Sequence, residues 1–456
     1  MKPEGTRVTL VGAGLAGGLL AVLLARRGFR VSVFERRSDP RGLRVPAGRS
    51  INLALAERGR HALRVAGLLE TVDGFTIPMR GRMLHDGQGR QTLQPYGKDE
   101  QEVIWSVHRA GLNRVLLDAA EATGRVQFRF DHSLSGIDWV EQRLRFERDD
   151  QAAVTEAFDV LIGADGSGSA VRAALSEVTD SGVHEERLDH GYLELGLPPA
   201  ARGDWALDAH ALHIWPRGGH MLIALPNADG SFTVTLFLAH TGEPSFATLH
   251  DWPAQRQFMQ AQFPDACHLM PDLEADFAHH PVGTLGTIRC QHWHYRGLAL
   301  LLGDAAHAIV PFHGQGMNAA FEDCTELMKG LQAFDGDWQA VFENFQQSRI
   351  ANANAIADMA LENYEVMRDS VRDPRFLLRK ALEHELERRH PGRFIARYSL
   401  VMFHRIPYVE AQQRGAVQAR LLDGLLERAD DLGDVDFDEA ASLVHQQLPP
   451  IESGSA

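Results

Sequence analysis

The sequence predicts a mixed α/β (α+β) fold: an open, mainly parallel sheet domain split by an inserted antiparallel sheet, followed by a helical C-terminal region. Three observations predict it. Arg7 to Val11 is an apolar, β-branched run that passes through Gly12-Ala13-Gly14-Leu15-Ala16-Gly17 into an apolar helical stretch ending at Arg26-Arg27-Gly28, so the chain opens strand, glycine turn, helix. From about His190 to Val282 short alternating strands are separated by Gly, Pro, Asn and Asp, which reads as a separate meander. From Trp338 to about Arg428 the pattern is mostly helical.

The opening turn carries chemistry as well as topology. Gly12 permits the tight turn, Gly14 lets the backbone approach a pyrophosphate, and Gly17 lets the helix pack against the strand, with a diphosphate at the helix's positive N-terminus. A second strand, Arg30 to Phe34, ends at Glu35, whose carboxylate can accept hydrogen bonds from ribose 2′- and 3′-hydroxyls. This is a Rossmann-like dinucleotide unit, and an acid at Glu35 suits FAD or NAD better than NADP. Residues 8 to 25 contain no charge, a length that could suggest a membrane span. The glycines interrupt the run, however, and Met1 to Arg7 does not read as a signal peptide.

A chain of 456 residues has room for two or three domains and a large core. Its formal charge of −15, with no lysine- or arginine-rich run to offset it, argues against nucleic-acid binding, so a polyanionic ligand must meet a local basic pocket. Cys267, Cys290 and Cys324 form no CxxC, which fits a reducing cytoplasm and thiols placed as core residues.

Along the chain, Arg49 to Leu55 follows a polar loop and leads into an expected helix from Glu57 to Leu69. Met79 to His85 reads as a strand, Asp86 to Gly89 as a turn and Gln91 to Pro95 as its return, with Arg80 and Arg82 on one face. His108 to Gly124 has helical spacing, with Arg109 near its start. An apolar strand then enters Gly163-Ala164-Asp165-Gly166 and a helix opens at Ser169 to Arg172, which puts Asp165 at a strand's carboxyl end, where open α/β sheets bind ligands. The meander is expected at 210–215, 221–225 and 232–238, with a covering helix from Trp252 to Gln262. Leu298 to Leu302 runs into Gly303-Asp304, and the loop Pro311 to Gly316 precedes a helix beginning Met317-Asn318, an N-terminus able to oppose negative charge on a flat ligand. His292-Trp293-His294 would place two imidazoles on one strand face, but no companion stands at metal spacing, and neither a GxSxG elbow nor a P-loop is present.

With the glycine motif and Glu35, then Gly163 to Gly166, then Gly303-Asp304, in that order, the chain resembles the single-component FAD-dependent aromatic monooxygenases. Gly48 to Leu55, Arg80 to Met83, Leu93 to Gly97, Val310 to Asn318, Ala360 to Tyr364 and Arg397 to Ser399 are similar to the soluble bacterial members of that family that hydroxylate kynurenine. The expected division is a discontinuous Rossmann-like FAD-binding domain (1–75, 103–180 and 285–337), an inserted antiparallel-sheet substrate domain (76–102 and 181–284), and a C-terminal helical domain (338–456). The resemblance implies tightly bound FAD held by Gly12, Gly14, Leu15, Ala16, Gly17, Glu35, Arg36, Arg37, Leu55, Arg109, Asp165, Gly303, Asp304, Gly316, Met317 and Asn318. It implies a substrate carboxylate on Arg82, Tyr96 and Asn363, a ring among Phe237, Phe312, Met367 and Tyr398, and catalytic roles for His313 and Gln315 beside the flavin.

The implied reaction, in tryptophan catabolism, is reduction of FAD by NADPH, addition of O2 at flavin C4a, and transfer of one oxygen to L-kynurenine to give 3-hydroxykynurenine, with no metal. Ala416 to Ala456 is mixed polar with repeated acids, so the expectation is a soluble, cytoplasmic protein without a membrane or nucleic-acid partner, with a homodimer among the assemblies open to it. The alternatives are a monooxygenase for another aromatic acid, a flavin halogenase or reductase, and a non-catalytic flavin-binding regulatory protein; no halogenase-type lysine motif is evident.

Overall fold

The computed structural model describes residues 6–42, 52–148, 151–201, 203–367 and 374–451. Gly48, Arg49, Ser50 and Ile51, and the polar tail 452–456, lie outside them. The strand Arg7–Val11 sits inside a six-stranded sheet ordered His294–Tyr295, Ala299–Leu301, Val160–Gly163, Arg7–Val11, Arg30–Phe34, Val126–Arg129. It runs parallel to both neighbours, with Val11 opposite Phe34 on one side and Gly163 on the other. The carboxyl ends of these strands therefore open along one edge, where the glycine turn, Glu35 and Ala164-Asp165 meet. Helix Leu15–Arg26 is buried from Gly17 to Ala25, so its unbroken apolar run is packed against the sheet. Among the described residues no helix is long and apolar enough to cross a membrane.

A seven-stranded sheet holds the meander, in the order Gly283–Arg289, His184–Leu197, Phe232–Ala239, Met221–Pro226, Ala211–Pro216, Gly81–His85, Gln91–Pro95. All its pairings are antiparallel except one: Gly81–His85 runs parallel to Ala211–Pro216, with Arg82 opposite Leu212. The continuous strand expected from Met79 to His85 is in fact two. Ile77–Met79 pairs with Ile104–His108 in a three-stranded sheet with Asn52–Leu55, and Gly81–His85 joins the larger sheet. Arg80 sits at the crossover, exposed, its N–H donating to the His210 carbonyl at 2.8 Å, so Arg80 and Arg82 do not share one strand face. Strand Gly283–Arg289 likewise runs across the boundary expected at 284.

The helix expected from Glu57 to Leu69 is interrupted at Gly67, whose φ of +59° leaves the helical range, giving Glu57–Val65 and Leu69–Asp73. Helix Trp252–Gln262 has the expected bounds and is capped by Asp251, which accepts from Ala254 N. Beyond Trp338 come Trp338–Glu365, Pro374–Arg389, Arg397–Met402 and Tyr408–Leu426, and a further helix, Phe437–Gln447, lies past the expected limit near Arg428. The first sheet and the meander each have their own apolar core. A third set of buried residues, including Tyr96, Leu225, Met359 and Leu400, joins the meander's inner face to the C-terminal helices. That seam carries the apolar end of the site.

Candidate active site

A cavity of about 610 Å³ extends from the carboxyl edge of the first sheet to this seam. Its first end is backbone. Gly12 has φ of +106°, and a Cβ there would lie 2.3 Å from the Ala164 carbonyl oxygen, so only glycine fits between the two strand ends. A Cβ on Gly17 would lie 2.0 Å from the Gly12 oxygen, whereas Gly14 has open space and lines the cavity with Leu15 and Ala16. Neither Gly14, ahead of helix Leu15–Arg26, nor Gln315, ahead of helix Gly316–Ala333, makes a side-chain cap. Two helix N-termini thus offer backbone N–H groups to one cavity, which Gly314, Gly316 and Met317 also line.

Glu35 Oε2 accepts from Ala13 N and Oε1 from Arg37 N, both at 3.0 Å, and the remaining lone pairs can take ribose hydroxyls. Arg36, Arg37, Arg109, Asp165 and Asp304 line the same end. Asp165 caps the next helix through Ser169 Oγ (2.5 Å) and Ala170 N (2.7 Å), and burial holds its carboxyl above the ordinary range. A diphosphate at one N-terminus, a ribose on Glu35 and a ring that becomes anionic at the other match FAD. Four residues expected at the cofactor, Gly17 among them, stand behind the wall instead. Gly303 (φ +61°) carries the turn into Asp304, and Leu55 is fully buried. The Asn318 amide accepts from Ala56 N and donates to Ala54 O and Gly314 O, so it shapes the loop.

The other end is side chain. The Arg82 guanidinium lies 4.9 Å from the Tyr398 ring centroid and 5.8 Å from that of Tyr96, and the two phenol rings stack at 5.8 Å. Arg82 Nε is buried and has no hydrogen-bond partner among the described residues. Burial opposes the charge, but the Tyr398 and Tyr96 hydroxyls outweigh it and raise the pKa, so Arg82 stays a cation. Burial raises both phenols as well, so they remain neutral donors. Phe237 packs on Phe312 (5.0 Å) and lines the cavity with Met367. Asn363, expected at the substrate carboxylate, is not brought to the cavity surface: its Nδ2 donates to the Phe312 carbonyl at 2.6 Å and so holds Phe312.

His313 lines the cavity and stacks on Tyr398 at 5.3 Å, its Nδ1 buried without a partner among the described residues. Burial pushes its pKa down to about 3, so the ring is neutral and unsuited to act as a general acid near pH 7. Gln315, expected beside it, is fully buried behind the loop: its Oε1 accepts from Tyr408 Oη at 2.7 Å, and its Nε2 donates to Met402 Sδ at 3.0 Å. Tyr398 belongs to helix Arg397–Met402, and the preceding Ala396 N donates to Glu387 Oε2 at 3.3 Å. Glu387 Oε1 is buried without a partner among the described residues, and burial, with Glu102 adding to it, lifts the carboxyl to about 7.

The sequence reading missed a charged chain behind helix Gly316–Ala333. Asp323 Oδ2 accepts from Gly303 N (3.1 Å) and His307 Nε2 (2.6 Å), and Oδ1 from Arg349 Nε (2.7 Å). Asp323 stands two helical turns past Gly316, a spacing that could have found it; nothing in the sequence marks Arg349. Among the described residues no cluster is placed to hold a metal ion, and His292 and His294 bond the Asp180 and Arg296 carbonyls.

A family model described as an FAD binding domain matches residues 5–360. The chain is 48% identical over 447 residues to the kynurenine 3-monooxygenase of Stenotrophomonas maltophilia (strain K279a), covering 98% of each. The chain belongs to the kynurenine 3-monooxygenase family. It is also 49% identical over 455 residues to the family member of Xanthomonas oryzae pv. oryzae (strain KACC10331 / KXO85), covering 99% of each. Among solved structures, the tetrameric form of 2-methyl-3-hydroxypyridine-5-carboxylic acid oxygenase is similar, with TM-score 0.66, 20% identity, and coverage of 83% of this chain and 95% of that one. PqsL of P. aeruginosa, in complex with 2-aminobenzoylacetate, gives TM-score 0.65 at 20% identity, covering 80% of this chain and 97% of that one. At such identities the likeness concerns the fold alone. As a member of the kynurenine 3-monooxygenase family the chain is an FAD-dependent monooxygenase, and FAD is its cofactor.

Proposed function

We propose that the chain hydroxylates L-kynurenine to 3-hydroxykynurenine in the cytoplasm, as a step of tryptophan catabolism, with FAD resident, NADPH as reductant and O2 as oxygen source. One observation carries the reading: Arg82 is a cation in a phenol-lined, otherwise apolar end of the cavity, with a buried N–H still unspent. An amino-acid carboxylate is the chemistry that answers it. Bound FAD supplies the reaction of reducing equivalents with O2. The chain's own part is positional. Arg82 and the Tyr96 hydroxyl hold the head group, while Phe237, Phe312 and Met367 enclose the aryl ring and exclude water. Asn363 acts through the Phe312 carbonyl, and His313 presents a neutral ring nitrogen. The N-terminus of helix Gly316–Ala333 opposes negative charge on the reduced cofactor. The substrate's amine already makes its ring electron-rich, so the hydroxylation needs no metal. In this division, 1–75, 103–180 and 285–337 chiefly hold FAD, 76–102 and 181–284 chiefly hold substrate, with Ile77–Met79, Gly283–Arg289 and Phe312 shared between the two, and 338–456 closes the apolar end.

The test is NADPH oxidation by the purified yellow protein with L-kynurenine and with a panel of other aromatic acids, with products identified by mass spectrometry. Acceleration by L-kynurenine with a one-oxygen product is expected. Acceleration only by another acid would overturn the substrate, and acceleration by none would favour a flavin-binding regulatory protein.

A further inference from the structure

Behind the cofactor-facing loops runs a continuous buried chain of polar side chains that the reaction as proposed does not use. It begins at Gly303, whose N–H donates to Asp323, and passes through Arg349, which bonds both Asp323 and Glu322 (Nη1–Oε2, 2.7 Å). Glu322 also pairs with Arg58, whose guanidinium lies 3.9 Å from the Tyr408 ring centroid. The Tyr408 hydroxyl then donates to Gln315, the residue immediately before helix Gly316–Ala333. Asp323, Arg349, Arg58, Tyr408 and Gln315 are all buried. Two anions stand against two arginines, and of the nitrogens of these two arginines only Arg58 Nε is buried without a partner among the described residues, so the paired charges hold one another in place. Both cofactor-facing turns, at 303–304 and 313–316, are thereby tied to one another and to the C-terminal helices.

We infer that Tyr408 is a positioning residue of the monooxygenase reaction: clamped between Arg58 and Gln315, it fixes the first turn of helix Gly316–Ala333, whose backbone N–H groups face the cavity. The inference rests on the reading that the flavin ring lies against that turn. It concerns a hydroxyl that touches neither substrate nor cofactor and acts through Gln315. Loss of that bond lets the turn move, weakening support for the anionic reduced flavin and admitting water beside it. More of the NADPH then ends as hydrogen peroxide (NADPH + H+ + O2 → NADP+ + H2O2) and less as hydroxylated product.

Tyr408→Phe removes one hydroxyl and no ring, so the holoenzyme can be compared directly with the parent. Expected are retained FAD, an unchanged dissociation constant for L-kynurenine, a more negative flavin midpoint potential, and a peroxide-to-product ratio raised about fivefold, the equivalent of one lost hydrogen bond. Gln315→Met removes the same bond from the other side and carries the test if Tyr408→Phe does not fold. Its effect should be similar, and the double variant should be no worse than either single one. An FAD-loaded Tyr408→Phe with the parent's potential and peroxide ratio overturns the inference, as do fully additive effects of the two substitutions. The potential is measured without substrate, so failure of L-kynurenine as substrate is distinguishable from failure of the positioning role.

Discussion

At the glycine end the cavity is lined by backbone from short stretches that are neighbours in one mainly parallel sheet. At the apolar end it is lined by side chains from Gly81–His85, Phe232–Ala239, the turn at 311–313 and helix Arg397–Met402, joined by Tyr96 and Met367. The first end is fixed by what glycine lacks, so it is intolerant of an added Cβ. The second is fixed by which atoms reach it, so it is sensitive to the loss of single polar groups. Backbone sterics shape the first end, and converging side chains shape the second, which is the part the proposed function assigns to the substrate.

Gly17→Val attacks the first end and should have the largest effect. Its Cβ would fall 2.0 Å from the Gly12 oxygen, and the helix must back away from the strand. A loss of roughly 3–5 kcal/mol of folding free energy is expected in denaturant titration, together with colourless protein. Arg82→Ala attacks the second end: FAD should remain, while the L-kynurenine dissociation constant worsens by roughly 2–5 kcal/mol in a titration. Arg82→Lys keeps the charge but loses the planar fork, and should fall between. Parent-like kynurenine affinity in Arg82→Ala would return the substrate to an unassigned aromatic acid.

The contrast extends to pH. Glu387, behind Tyr398, has a carboxyl lifted from 4.5 to about 7 by burial. The folded chain therefore keeps a proton that the unfolded chain has released, and stability falls as pH rises between those values. Glu387→Gln can still accept from Ala396 N without a charge. It should stabilise by on the order of 3 kcal/mol at pH 8 and hardly at pH 4, read from denaturation midpoints at the two pH values. Tyr96→Phe is the mildest probe, expected to weaken L-kynurenine binding by about 1 kcal/mol with no change in FAD occupancy.

Legibility in the sequence followed the same divide. Gly12, Gly14, Gly17 and Glu35 are readable because their requirements are local: one turn, one helix start, one strand end. Arg82 was found through motif resemblance, and alternation misassigned Arg80 beside it because two sheets meet between Met79 and Gly81. Asn363 and Gln315 were found as residues but not as geometry, since a side-chain amide can spend its donor on a neighbouring carbonyl or thioether rather than on a ligand. Arg58, Arg349 and Tyr408 left no mark, because partners 264, 26 and 93 positions away create no local pattern.

The parallel pairing of Gly81–His85 with Ala211–Pro216 has a consequence in time. Pro78 and His210, bonded beside that junction, are 132 residues apart, and closing such a loop costs about 4 kcal/mol of chain entropy before any contact repays it. On a ribosome adding roughly 5–20 residues per second, the hairpin bearing Arg82 emerges about 7–26 s before the strand that will hold it. During that interval the parallel glycine unit has its first two strands and helix in hand, while Gly81–His85 carries an open edge with nothing to pair. The hairpin bearing Arg82 therefore waits with one edge unpaired, and that edge is exposed to wrong partners while the chain is being made.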